Sequence, residues 1–187
     1  GMSIFLQNLA LMIWGSRPRP FPKDALPEFF SQTAFTFGDV KLTWLQLFIF
    51  AVTIVMMIGL NLIITKTKAG TAMRALAQNK QAAALMGINV NRIISFTVIL
   101  GSSMGAVAGV LVSVFYNTMY PMMGYTAGVK AFAAAVLGGI GSVPGAMIGG
   151  VILGVAEALG AGYVSSLYRD GVAYAIMIAV ILFRPSG

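Results

Sequence analysis

A basic stretch without a single acid, set between two long apolar runs, constrains this chain more than any other feature. Thr65 to Arg92 carries Lys66, Lys68, Arg74, Lys80 and Arg92 and no Asp or Glu. Trp44 to Ile64 precedes it and Ile93 to Tyr116 follows it, each long enough to cross a bilayer at roughly 20 residues per crossing. A short loop rich in Lys and Arg between two spans belongs on the cytoplasmic side. That orientation sets the rest: 65–92 is a cytoplasmic connector, 15–43 an external loop, and 1–187 one membrane domain.

The connector has helical order of its own. Ala72 to Met86 contains no Gly or Pro and is rich in good helix formers. Thr71 is placed to cap its start, Gly87 to end it in a left-handed turn, and Asn91 to cap the next span. A single surface helix from Ala72 to Met86 is therefore expected. Physics alone leaves two readings open, a coupling element or a plain tether carrying positive-inside charge.

Composition agrees with a membrane protein. Hydrophobic residues make up 58%, charged residues 9%, and the mean hydropathy is +0.89, against roughly 25% charged in soluble domains. The connector holds five of the twelve basic residues behind the net charge of +7. Nucleic-acid binding needs a basic face on a water-soluble fold and is set aside. With no Cys and no His, disulfides, thiol catalysis and the usual zinc sites are excluded. No phosphate-binding Gly-Lys-Ser/Thr loop and no His base is present, so neither a cofactor nor a metal is expected and no catalytic role is assigned.

Before the connector, Met2 to Trp14 is apolar but too short for a full crossing. It reads as the last part of a span, and the abrupt end at Phe183-Arg184-Pro185-Ser186-Gly187 likewise suggests a fragment. In 15–43, Pro18, Pro20, Pro22 and Pro27 rule out a long helix. This loop is either a tether or part of the surface that receives an external binding protein, with Trp44 at the membrane interface.

After the connector, Gly101, Gly105 and Gly109 form a small-residue face suited to close helix packing. Ala127 to Leu159 would measure about 50 Å as one helix, against a hydrocarbon core of about 30 Å. Its middle, Gly138-Gly139-Ile140-Gly141-Ser142-Val143-Pro144-Gly145, suits no straight helix. A break there, with Gly138, Gly139, Gly141, Ser142 and Pro144 at it, marks either a translocation route or a packing kink. If the block dips in and returns, Gly160 to Asp170 is external and Gly171 to Phe183 leads back to Arg184 at the cytoplasmic edge; if it crosses once, the C-terminus lies outside. Lys130 is expected to snorkel. Glu157, the one acid in a long apolar run, is either a functional intramembrane group or, if the block dips in and returns, the partner of Arg169 near the outer interface, and the pair is the favoured reading.

Two sequence blocks carry a resemblance. Gln81-Ala82-Ala83-Ala84-Leu85-Met86-Gly87 has the spacing of the EAA-x3-G loop of bacterial ABC importer permeases, with Gln81 in place of Glu and no Leu-Pro after Gly87. Together with RALAQNKQAAALMGINVNRI and KAFAAAVLGGIGSVPGAMIGGVILGVAEAL, the chain resembles the smaller permease subunit of branched-chain amino acid ABC transporters. The resemblance implies an all-α, polytopic helical bundle in the inner membrane, with a re-entrant helix and a cytoplasmic coupling helix. It also implies that Arg74, Gln81, Ala82, Ala83 and Gly87 couple to the ATPase. The implied partners are a second permease subunit, two cytoplasmic ATPase subunits, an external substrate-binding protein and membrane lipid. The alternatives are a self-sufficient channel or secondary transporter, and a ribose- or urea-type ABC permease.

Overall fold

The computed structural model describes residues 1–38, 40–163 and 165–183. These form two compact units, Arg17–Tyr120 on one hand and Gly1–Ser16 with Pro121–Gly187 on the other.

In the first unit, α2 (Trp44–Lys66) and α5 (Val90–Tyr116) are long, continuous and apolar. Both are long and apolar enough to cross a membrane, and none of their residues is buried within the chain. A helix that is apolar all round and uncovered by its own chain needs lipid or another protein around it. The Gly101, Gly105 and Gly109 face meets nothing among the described residues; a Cβ added at any of them would find open space.

The segment before α2 is more ordered than its prolines suggest. β1 (Arg19–Pro20) pairs antiparallel with β4 (Thr118–Met119), which fastens it beside the end of α5. Two 3-10 turns follow, at Lys23–Ala25 and Glu28–Ser31. Then β2 (Thr33–Phe37) and β3 (Val40–Thr43) form a hairpin. Gly38 has φ 62°, a value glycine adopts at low cost. Asp39 lies outside the described residues. Trp44 opens α2 and stacks on Phe29 at 4.8 Å, while Gln46 Oε1 accepts the Thr43 amide at 3.2 Å.

The second unit contains α1 (Met2–Trp14), α6 (Met123–Gly138), α7 (Val143–Tyr163), a 3-10 turn (Ser166–Tyr168) and α8 (Arg169–Phe183). Val143–Tyr163 and Ser166–Phe183 bring the helices long and apolar enough to cross a membrane to four among the described residues. The core is made of Ala133 and Ala134 from α6, Leu153 from α7 and Ala173 from α8, with Ile176 and Met177 packed against it. The expected position of Arg184 lies outside the described residues.

Candidate functional site

The basic connector folds as two short helices rather than one. α3 runs Lys68–Gln78 and α4 runs Lys80–Leu85. The reason is Asn79, whose backbone is extended (φ −154°, ψ 108°). Its amide still closes α3 on Ala75 O at 3.1 Å, and its Oδ1 accepts from Gln81 N at 2.9 Å and Ala82 N at 3.0 Å. Asn side chains compete for backbone amides in this way, so one residue ends one helix and starts the next.

The caps also differ from expectation. Thr67, not Thr71, starts the first helix: its hydroxyl oxygen accepts from Gly70 N at 3.0 Å and donates to Ile63 O. The chain turns so tightly there that a Cβ on Gly70 would overlap the carbonyl oxygens of Ile63 and Ile64. Asn89, not Asn91, caps α5 by accepting from Arg92 N at 3.2 Å. Asn91 falls one residue inside the helix. Gly87 ends α4 as expected, with φ 83°. Gly87 N donates to Ala84 O at 3.0 Å and Ile88 N to Ala83 O at 3.1 Å, the paired bonds of a Schellman stop.

The connector residues divide by exposure. Ala83 is turned inward at 4% exposed, and Leu76 of α3 is buried with it. Arg74, Gln81, Ala82 and Gly87 are exposed. Sequence reasoning missed the most prominent feature, the bare apolar pair Leu85 and Met86, 88% and 84% exposed. Its signal was the Leu-Met just before the stop glycine, where a helix end presents side chains outward.

The second element is the break in 127–159. α6 ends at Gly138 and α7 begins at Val143, and the chain reverses between them. Lys130 meets Glu157, Ala134 meets Gly149 and Gly150, and Gly138 meets Gly145. A ladder whose partners converge on the turn is an antiparallel hairpin, so 127–159 is two helices folded back rather than one crossing. Glycines make this possible. A Cβ on Gly138 would overlap the Gly145 carbonyl, and one on Gly149 would overlap the Ala134 carbonyl oxygen. Small residues let the backbones touch.

At the tip, Gly139 and Gly141 have φ 94° and 97°. Ser142 starts α7: its Oγ accepts from Gly145 N at 3.2 Å and its carbonyl from Ala146 N at 2.9 Å. Pro144 sits in the first turn of α7, where a missing N–H costs nothing. The structure thus brings Gly138, Gly139, Gly141, Ser142 and Pro144 together at one hairpin tip, with Ile140 protruding at 73% exposed.

At the other end of the hairpin, Glu157 lies 3.9 Å from Arg169 Nε, as expected. Lys130 has partners as well: its Nζ lies 3.1 Å from Glu157 Oε2 and 2.8 Å from Asp170 Oδ1. Folding α6 back on α7 brings these acids within its reach.

Four helices long and apolar enough to cross a membrane among the described residues define a polytopic α-helical membrane protein. The chain belongs to the family described as branched-chain amino acid transport system, permease component, which it matches over residues 2–181. It is 46% identical over 187 residues to the high-affinity branched-chain amino acid transport system permease protein BraD of Pseudomonas aeruginosa, covering 100% of this chain and 61% of that protein. To the permease LivH of Escherichia coli K12 it is also 46% identical, over 100% of this chain and 60% of the relative. A probable LivH of Methanocaldococcus jannaschii is 37% identical over 143 residues, 73% of this chain and 45% of that protein. The chain therefore spans about three fifths of the length of the first two. No solved structure matches it.

Proposed function

We propose that this chain is the membrane permease of an ABC importer that carries branched-chain amino acids inward across the inner membrane. Energy comes from two separate cytoplasmic ATPase subunits, in keeping with the lack of a Gly-Lys-Ser/Thr loop within these 187 residues. A second permease subunit completes the channel, and an external binding protein delivers the substrate at the 15–43 side. The relatives' names support the substrate class.

One observation carries the reading. The α3–α4 connector is stiffened at both ends and at its middle, by Thr67, Asn79 and the Gly87 stop, yet leaves Leu85 and Met86 bare. A mere tether has no need of three caps. An apolar pair on a rigid, basic support fits a hydrophobic groove on a soluble partner. In this reading Ala83 supports the knob from inside, while Arg74, Gln81 and Ala82 rim it. The hairpin tip around Gly139 and Gly141 lines the route or hinges beside it.

The test is co-purification of the full chain from membranes with its ATPase. Leu85→Glu with Met86→Glu is expected to remove the ATPase while leaving the permease in the membrane. Retention of the ATPase by that variant, at normal uptake, would contradict the proposal.

A further inference from the structure

Glu157 is the buried charged residue among those described, 7% exposed, and it lies in a helix that is otherwise uncharged from Val143 to Tyr163. A carboxylate removed from water in such surroundings is costly unless it is paired. It is paired across three helices. Lys130 of α6 bridges Glu157 of α7 and Asp170 of α8, at 3.1 and 2.8 Å, and Arg169 of α8 stands 3.9 Å from Glu157. Two acids and two bases leave the group neutral.

The position of this group matters as much as its charge. Lys130 and Ala134, Leu153 and Glu157, and Arg169 and Ala173 are each four residues apart, so each pair shares a helix face. The charged cluster therefore sits directly on top of the apolar core made by Ala133, Ala134, Leu153 and Ala173. Below that core the seam runs on to the Gly138–Gly145 contact and the hairpin tip. Fourteen residues separate Glu157 from Val143, about 21 Å along the helix. The core itself is mostly alanine methyls, which bury little apolar surface each. Small buried side chains leave the pairing at this end of the seam with few shape constraints, and a charge network can specify one register there.

We propose that Lys130, Glu157 and Asp170 form a lock that binds the α6–α7 hairpin to the start of α8, so that the glycine tip moves with α8 as one rigid body during transport. Glu157 is the positioning residue, because among the four charged groups of the cluster it is the buried one. The link to transport rests on the importer reading; the lock itself does not. A purely neutralising pair would behave differently, since deleting both of its charges together would cost nothing.

Two measurements on the full chain separate these cases. The first places spin labels at Ile140→Cys and Ile181→Cys, in a chain without native cysteine, and records the distance distribution between them. The second measures ATP-driven leucine uptake by the complete complex in proteoliposomes. In Lys130→Met/Glu157→Gln the distribution is expected to broaden. Maximal uptake is expected to fall at least about tenfold while the half-saturating concentration stays within about twofold. Lys130→Arg, which keeps the charge, is expected to retain both properties. An unchanged distribution in the double variant overturns the lock, whatever uptake does. A broadened distribution with undiminished uptake overturns its role in transport. Absence of ATP-driven uptake by the unmodified complex would instead strike the importer reading and leave the first measurement to decide the lock.

Discussion

The amide of Ile88 donates to the carbonyl of Ala83 across 3.1 Å, over a left-handed Gly87. This bond closes the connector and fixes where Leu85 and Met86 point. A residue with a Cβ at position 87 is strained by roughly 1–2 kcal/mol in that conformation. Gly87→Val is expected to loosen the stop and lower ATP-driven uptake several-fold with unchanged membrane insertion, read by uptake against the amount of protein in the membrane. Full uptake in Gly87→Val would show that the stop is dispensable.

Asn79 offers a second, milder test of the same element. Losing an N-cap of this kind costs about 1 kcal/mol. Asn79→Ala is expected to reduce ATPase association modestly, and Asn79→Asp to preserve it, because an Asp carboxylate accepts the Gln81 and Ala82 amides equally well. Pull-down titrations with the ATPase check both.

Orientation is tested with single cysteines. Lys80 and Thr36 are exposed and the chain has no native Cys. Lys80→Cys is expected to react with a membrane-impermeant thiol reagent from the cytoplasmic side only, and Thr36→Cys from the outside only. The reverse pattern would invert the topology that positive-inside charge implies.

At the hairpin, Gly138 and Gly145 leave no room for a side chain. Gly138→Leu is expected to separate α6 from α7, lowering thermal stability and abolishing uptake. Gly154, whose Cβ would meet nothing within 4 Å among the described residues, serves as the control, and Gly154→Ala is expected to stay stable. Melting of the detergent-solubilised protein compares the two.

Much of this was legible in the sequence, for identifiable reasons. The spans, the stop at Gly87 and the break around Gly138 to Gly145 follow from length, glycine conformation and proline placement, which act locally. The split of the connector was not legible because helix propensity averages over a window, while Asn79 acts through two specific hydrogen bonds. The β2–β3 hairpin left a weaker trace, an alternating Thr-Ala-Phe-Thr-Phe followed by a turn at Gly38. The partners of Lys130 lie 27 and 40 positions away in the sequence, at Glu157 and Asp170. Only the folding back of the hairpin makes them neighbours.

In the proposed function this chain converts the work of a separate ATPase into inward movement of a branched-chain amino acid. The most direct measurement is radiolabelled leucine uptake into proteoliposomes holding the full permease, its partner subunits and the external binding protein. Uptake is expected only with ATP on the connector side, and is expected to vanish in Leu85→Glu/Met86→Glu while the permease stays intact. Leucine flux of equal size without ATP or ATPase, unaffected by that double change, would contradict the claim.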